Sequence, residues 1–174
     1  MKKFLAVLAA FGLALSANAA DKTYKLKLAS TWESTTPVLG DAAKEFKRVV
    51  ETLSDGRLEV RIDYPSKHKA PFGILDFVKG GQYDIGYTAS YYYKGKDANT
   101  MFFTAVPFGM TAGELRAWYE FGGGKQLEEK VYDKYNIKVF NAGDTGTQMG
   151  GWFKKEIKSV EDLKGLKIRI PGFG

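Results

Sequence analysis

The pattern of apolar and polar positions predicts strands and helices in alternation through the first half of the chain. Tyr24, Leu26 and Leu28 alternate with lysines, and residues 58–64 alternate in the same way, as half-buried strands do. Between them, residues 38–53 carry apolar side chains at the spacing of an amphipathic helix packed on a sheet. Strand, helix and strand in this order are typical of a parallel sheet. The pattern therefore predicts an α/β fold.

Turn and cap residues predict where the helices begin and end. Thr36-Pro37 has the form of an N-cap followed by proline at the first helical position, and Ser54-Asp55-Gly56 has the form of a helix end. Residues 71–79, which open on a proline, are predicted to form a shorter helix. Thr111 and Glu114 have capping-box spacing and predict the start of a later helix.

Further short apolar runs predict additional strands. Residues 85–88 are predicted to form the third strand, and residues 137–140, 148–154 and 166–170 are predicted to form later ones. Residues 159–162 have the form of a capping box for one helical turn.

The N-terminus has the three parts of a secretory signal peptide in their usual order. Lys2 and Lys3 precede an apolar run from Phe4 to Leu15, and an A-x-A motif follows at residues 17–19. The apolar run is shorter than the roughly 20 residues that cross a bilayer. We therefore predict cleavage after Ala19 and a periplasmic location, in preference to a buried N-terminal helix.

Composition excludes several classes of function. The net charge is +6, but no dense block of lysine and arginine indicates a nucleic-acid partner. Cysteine is absent, and no phosphate loop or dinucleotide fingerprint occurs. His68, the only histidine, is interpreted as a surface residue because neither a catalytic triad nor a metal-ligand cluster surrounds it. The sequence therefore predicts a protein that is not an enzyme and requires no cofactor.

Arg169 and Gln148 are the first candidate ligand-binding residues. The planar guanidinium of Arg169, near the end of a predicted strand, matches a carboxylate, although a solvated strand residue would fit the same pattern. Gln148 lies in a glycine-flanked stretch, and its amide can bind a hydroxyl, a carboxylate or a hard cation. The alternative for Gln148 is a side chain that satisfies backbone groups of a turn.

Trp32 and Tyr92 are the other two candidates. Trp32 follows the first strand, at the edge where open parallel sheets bind ligands, although simple packing would also explain it. In the Tyr91-Tyr92-Tyr93 triplet we expect one side chain to line a pocket, because neighbours in an extended chain point to opposite faces. Tyr92 is taken as that residue, and the other two tyrosines are assigned to an aromatic core.

Four stretches of the chain resemble a known family. They are the signal peptide, S-Y-Y-Y-K-G-K with A-V-P-F-G after it, D-T-G-T-Q-M-G-G-W-F, and V-E-D-L-K-G-L-K-I-R-I-P-G. Together they resemble the extracytoplasmic solute-binding proteins of TRAP transporters, the DctP-like family. The third stretch and the tyrosines resemble the branch that binds 2-oxo or 2-hydroxy monocarboxylates such as pyruvate or lactate.

The resemblance implies a fold, a function and roles for the candidate residues. It implies a periplasmic-binding-protein-like fold in which two α/β domains enclose a ligand cleft. The protein would capture a small organic acid and deliver it to TRAP membrane permease subunits, and the full-length protein would be a possible homodimer. Arg169 would pair with the substrate carboxylate, and Gln148 would hold the substrate and a possible sodium or calcium ion. Trp32 and a tyrosine would close the pocket.

The family is about twice the length of this chain, so the sequence is interpreted as an N-terminal fragment. The predicted divisions are a signal peptide at residues 1–19, a first α/β domain at residues 20–140, and an incomplete second domain at residues 141–174. Two alternatives stay open. A secreted binder of carbohydrates or other solutes fits the 14% aromatic content and would keep its affinity without Arg169. A secreted hydrolase is less favoured, because the sequence shows no nucleophile with a base.

Overall fold

The computed structural model describes residues 22–147 and 150–169, and its centre is a parallel sheet. The strands are β1 (Tyr24–Ser30), β2 (Leu58–Asp63) and β3 (Ile85–Tyr87), and the sheet has the order β2-β1-β3. The prediction of an α/β fold with a parallel sheet is therefore confirmed. The predicted signal peptide lies outside the described residues.

The central strand β1 is the most deeply buried part of the sheet. Leu28 pairs with Ile62 of β2 on one side and with Ile85 of β3 on the other. Leu28 and Ala29 are buried. Because the strands are parallel, all their carboxyl ends meet at one edge of the sheet, and this edge positions the candidate site.

Helices and short 3-10 helices fill the connections between and after the strands. The first three helices, on the connections of the sheet, are α1 (Leu39–Leu53), α2 (Pro65–His68) and α3 (Ile74–Lys79). After β3 come two 3-10 helices, two longer helices and one more 3-10 turn. These are Ser90–Tyr93, Ala98–Phe103, α4 (Ala112–Phe121), α5 (Gly124–Asp133) and Val160–Leu163.

The hydrophobic core joins the sheet to helices from both halves of the chain. Its buried members are Ala29, Ile74, Leu75, Tyr93 and Tyr132. Partly buried side chains pack around them, among them those of Phe77, Tyr83, Tyr92, Val131, Tyr135, Ile137 and Val139. Helix α5 and the segment that follows it are thus packed onto the sheet, and we call residues 22–139 the sheet domain.

Two predicted helix starts are wrong. Helix α1 begins at Leu39 rather than after Thr36, because Val38 adopts φ 64° and ψ −58° and the Leu39 amide donates to the carbonyl of Pro37 at 2.7 Å. This is a γ-turn, which reverses the chain just before the helix. The helix predicted from Pro71 begins three residues later, at Ile74.

The strands predicted in the last part of the chain do not form among the described residues. Residues 137–140, 150–154 and 166–169 are all irregular. A strand needs a neighbour to satisfy its backbone hydrogen bonds, and no strand of the described part of the chain pairs with these segments. The ends of two predicted runs, Gln148 with Met149 and Ile170, lie outside the described residues. The predicted domain boundary at residues 140–141 stays a prediction.

Candidate functional site

The carboxyl edge of the sheet gathers a group of aromatic side chains, which we call the aromatic wall. It consists of Trp32, Phe72, Tyr87, Tyr91 and Tyr92. The Trp32 ring lies 5.1 Å from the Tyr87 ring and 6.4 Å from the Tyr92 ring, centroid to centroid. Tyr92 also contacts Phe72 at 4.8 Å and Tyr91 at 4.5 Å. The structure therefore brings together two predicted site residues, Trp32 and Tyr92.

The tyrosine triplet reaches this arrangement by a different route from the predicted one. Its residues form a 3-10 helix and not an extended segment, so the alternation argument is wrong. With three residues per turn, successive side chains point about 120° apart. Tyr93 is buried in the core, while Tyr91 and Tyr92 are half-buried at the edge.

Beneath the aromatic wall lies a hydroxyl cluster formed by Thr31, Thr88 and Tyr93. The Thr31 Oγ1 and Tyr93 hydroxyls donate to Thr88 Oγ1 at 2.7 and 2.9 Å. Burial raises the pKa of Tyr93 to about 12. Tyr93 therefore stays protonated at physiological pH and acts as a neutral hydrogen-bond donor to Thr88.

The backbone that carries Trp32 is fixed by buried polar groups. Ser30 Oγ accepts from the Trp32 amide at 3.1 Å and donates to the Trp32 carbonyl at 2.8 Å. The His68 ring bonds the Ser30 carbonyl through Nε2 at 2.9 Å and accepts from the Ala70 amide through Nδ1 at 3.2 Å. His68 is half-buried and bridges α2 to β1, so its interpretation as a surface residue is wrong.

Arg169 lies at the rim of this edge, near Tyr91. Burial and the Tyr92 hydroxyl raise the pKa of Tyr91, and the positive charge of Arg169 opposes that rise. The Arg169 side chain itself is exposed. Its neighbour Ile168 lies close to Gly151, since a Cβ on Gly151 would lie 2.8 Å from Ile168 Cδ1. Three of the four predicted site residues are thus near one edge, and Gln148 lies outside the described residues.

The sequence analysis missed other residues of this edge, namely Phe72, Tyr87, Tyr91 and Thr88. For Tyr87 and Thr88 a signal was present, because both stand at the end of the predicted third strand. The rule that selected Trp32, a position just after a parallel strand, selects them equally. Phe72 carried no comparable signal, since it reaches the wall from a loop.

A second polar cluster lies at the end of β2. The buried carboxylate of Asp63 accepts from Arg61 at 3.0 Å, Lys67 at 2.8 Å and the Tyr83 hydroxyl at 3.0 Å. Burial alone would raise the pKa of Asp63, but these hydrogen bonds outweigh it and lower the pKa to about 2. The cluster holds α2 against the end of β2.

A metal site built from acidic, histidine or cysteine side chains is absent from the described residues. Within residues 22–147 and 150–169, no group of three or more histidine, cysteine, aspartate or glutamate side chains could hold a metal ion. Sodium and calcium require several oxygen ligands, and the hydroxyl cluster supplies too few. No helix in the described part of the chain is long and apolar enough to span a membrane.

Comparison with known proteins identifies the family. Residues 28–173 match the model of the bacterial extracellular solute-binding protein, family 7, DctP. The chain belongs to this family. The predicted membership is therefore confirmed, and the family is one of solute-binding proteins and not of enzymes, as predicted.

Individual relatives show which members of the family this chain resembles. It is 43% identical over 148 residues to the monocarboxylate 2-oxoacid-binding periplasmic protein all3028 of Nostoc sp. strain PCC 7120, covering 85% of this chain and 40% of that protein. Two crystal structures of TRAP periplasmic solute-binding proteins also match. The one from Pseudoalteromonas atlantica T6c, with bound sodium and pyruvate, is 60% identical with a TM-score of 0.84. The one from Colwellia psychrerythraea, with bound calcium and pyruvate, is 61% identical with a TM-score of 0.85.

These relatives are much longer than the family 7 chain. The matches cover 87% of this chain but only 46% of each crystallised protein. The chain therefore spans less than half the length of the relatives it matches. The predicted similarity of the chain to the 2-oxoacid branch is confirmed. The activity of a whole receptor is proposed below.

Proposed function

We propose that this chain is the N-terminal part of a periplasmic receptor that captures a 2-oxo or 2-hydroxy monocarboxylate, such as pyruvate or lactate. The receptor delivers the acid to the membrane permease of a TRAP transporter. The observation that carries the proposal is the aromatic wall at the carboxyl edge of a parallel sheet, with the charge of Arg169 close enough to act on Tyr91 of that wall. Relatives that bind pyruvate or 2-oxoacids support the choice of ligand.

The two halves of a small organic acid fit the two kinds of group at this edge. The Arg169 guanidinium presents paired N–H donors to the carboxylate. The rings of Trp32 and Tyr92 provide apolar surface for the carbon chain and exclude water from the ion pair. Excluding water matters because an ion pair open to solvent contributes at most about 1 kcal/mol. Since Arg169 is exposed in this chain, tight binding requires the rest of the receptor to close over it.

The cation is proposed to bind in the complete receptor. Gln148 stays the predicted ligand from this chain, and its amide oxygen suits sodium or calcium. Since the described residues hold no group of three or more histidine, cysteine, aspartate or glutamate side chains that could bind a metal ion, we propose that the other ligands come from elsewhere in the receptor. Secretion through cleavage after Ala19, docking to the permease and homodimer formation are part of the same proposal.

Calorimetry on the complete receptor tests the function. Pyruvate, lactate, succinate and glucose are titrated with and without sodium or calcium. We expect binding of the monocarboxylates and no binding of glucose. Binding of glucose that persists after Arg169→Ala, with no heat from any acid, would favour the alternative of a carbohydrate-binding protein and overturn the proposal. Mass spectrometry of the secreted protein checks the cleavage site.

A further inference from the structure

The hydroxyl cluster has one more hydroxyl hydrogen than it has internal hydrogen bonds. Thr31, Thr88 and Tyr93 carry one hydroxyl hydrogen each, and two hydrogen bonds join the three oxygens. Whichever way those two bonds run, the third hydrogen is left over. Within residues 22–147 and 150–169, no protein group accepts it. A polar hydrogen of this kind at a binding edge is available to an acceptor on a ligand.

Exposure decides which of the three hydroxyls carries the spare hydrogen outwards. Tyr93 is 2% exposed and Thr31 is 6% exposed, so neither faces the space above the sheet. Thr88 is only half-buried, and it follows Tyr87 directly. The hydroxyls of Thr31 and Tyr93 can both donate to Thr88 Oγ1, which leaves the hydrogen of the Thr88 hydroxyl free.

We propose that the Thr88 hydroxyl is a ligand-binding group that donates a hydrogen bond to an oxygen atom of the bound acid, either of its carboxylate or of its 2-substituent. This inference rests on the proposed function. The two donors behind Thr88 fill both lone pairs of its oxygen, so towards the ligand Thr88 acts as a donor and not as an acceptor. Bonds of this kind in series also strengthen one another.

The donor-only character of Thr88 gives the site a chemical preference. A 2-oxo group accepts a hydrogen bond, and so does a 2-hydroxyl group. A 2-ammonium group, as in alanine, has only hydrogen-bond donors. Its N–H groups would point at the hydrogen of the Thr88 hydroxyl, and no hydrogen bond could form. Where Thr88 bonds the 2-substituent, it therefore selects oxygen-bearing acids over amino acids of the same size, which is the stronger kind of discrimination because a mismatch leaves buried polar groups unpaired.

The test compares Thr88→Val and Thr88→Ser in the complete receptor. Valine has nearly the shape of threonine but no hydroxyl, and serine restores the hydroxyl. We expect Thr88→Val to raise the Kd for pyruvate about 10- to 150-fold if Thr88 bonds the charged carboxylate, and about 2- to 10-fold if it bonds the neutral 2-oxygen. Thr88→Ser should recover most of the affinity. Thr52→Val, on the exposed face of α1, is the matched control and should bind like the wild type.

Propionate and alanine separate the outcomes further. If Thr88 bonds the 2-oxygen, the wild type should bind pyruvate more tightly than alanine, and Thr88→Val should reduce that difference. If Thr88→Val weakens pyruvate and propionate equally, Thr88 bonds the carboxylate; if it weakens pyruvate alone, Thr88 bonds the 2-oxygen. Either result supports the inference, whereas an unchanged Kd for pyruvate overturns it and leaves the proposed function intact. Failure of the wild type to bind any monocarboxylate overturns both. Should Thr88→Val not fold, a crystal structure of the wild-type complex decides, since a Thr88 Oγ1 beyond hydrogen-bond distance of every ligand oxygen refutes the inference.

Discussion

Two segments of the chain carry the same alternating pattern and have different structures. Residues 58–63 form β2, whereas residues 166–169 are irregular. The difference lies in the neighbours, because β2 pairs with β1 along its whole length and residues 166–169 pair with no strand of the described chain. Alternation therefore identifies which face of a segment would be buried, but only a partner strand turns the segment into a strand.

The same contrast appears in burial. The sheet domain buries Leu28, Val60 and Ile74 to 1% exposure, whereas Trp152 in the later segment, residues 150–169, is 86% exposed. Large solvent-exposed apolar side chains usually mark a surface that another part of a protein covers. We therefore expect the later segment to gain order in the complete receptor, and the following experiments test that difference between the two regions.

The largest effect on the free energy of unfolding is expected from an isoleucine-to-alanine substitution in the sheet domain, which we compare with the same substitution in the later segment. Ile74→Ala should destabilise the 174-residue chain by about 2–5 kcal/mol, because Ile74 fills the core and its Cγ2 lies against Gly86 of β3. Ile168→Ala should cost less than about 1 kcal/mol, since Ile168 is 37% exposed. Urea unfolding measures both, and equal costs would show that the two regions are equally packed. In the complete receptor the cost of Ile168→Ala should rise.

How far the sequence predicts the fold follows from this contrast. The first two strands were predicted to within a few residues, because alternation and tertiary pairing agree there. The start of α1 was not, because a γ-turn at Val38 precedes the helix and the preceding loop packs closely on Gly40. A Cβ on Gly40 would lie 2.6 Å from the Ser34 carbonyl oxygen, and no local pattern reveals such a contact.

The site was partly predictable for a similar reason. Trp32 could be found because its position after a parallel strand has a general meaning in this class of fold. Thr88 has the same position, but its role depends on two hydroxyl partners that come from other parts of the chain. The role of Arg169 was implied by family resemblance, since its spacing in the sequence fits a solvated residue equally well.

The next largest effect concerns binding. Arg169→Ala in the complete receptor should weaken pyruvate binding by about 2–5 kcal/mol, as expected when a buried charge pair loses one member. In the 174-residue chain, where Arg169 is exposed, the same change should have almost no effect on the weak binding expected there. Calorimetry measures both. Arg116→Ala, on an exposed face of α4, is the control, and a similar loss in that variant would remove the special role of Arg169.

A smaller effect is expected from the buried carboxylate of the sheet domain. The folded-state pKa of Asp63 is about 2, below the ordinary value of 3.8, so its stabilising effect is present above about pH 4 and is lost as the pH falls towards 2. Asp63→Asn should cost about 1–2 kcal/mol at pH 7, less than the full pKa difference implies because Arg61 and Lys67 are largely exposed. The stability of the Asp63→Asn variant should vary less between pH 4 and pH 2 than that of the wild type.

Thermal unfolding across that pH range measures the Asp63 effect. Asp41→Asn is the matched control, because Asp41 pairs with Lys44 at 3.1 Å on the exposed surface of α1. The control should follow the wild type at every pH. If Asp63→Asn also follows the wild type, the ion pairs of Asp63 contribute no net stability.

The smallest effect compares the two capping boxes, one in each region. Thr111 Oγ1 accepts from the Glu114 amide and the Glu114 carboxylate accepts from the Thr111 amide at 2.8 Å, at the start of the ten-residue α4. At the second box the Asp162 carboxylate accepts from the Ser159 amide at 3.0 Å and from the Ser159 hydroxyl at 3.3 Å, at the start of a 3-10 turn of four residues. Both caps were predicted from the sequence, because a cap depends only on near neighbours.

The energetic value of a cap depends on what it stabilises. Thr111→Ala should lower the stability of the 174-residue chain by about 1 kcal/mol, the usual cost of losing an N-cap, because α4 packs against α5. Ser159→Ala should cost less than about 0.5 kcal/mol, since its short turn has no buried residue. Urea unfolding of the two variants measures the difference. If Ser159→Ala were as costly as Thr111→Ala, residues 150–169 would unfold together with the sheet domain, and the contrast between the two regions would be wrong.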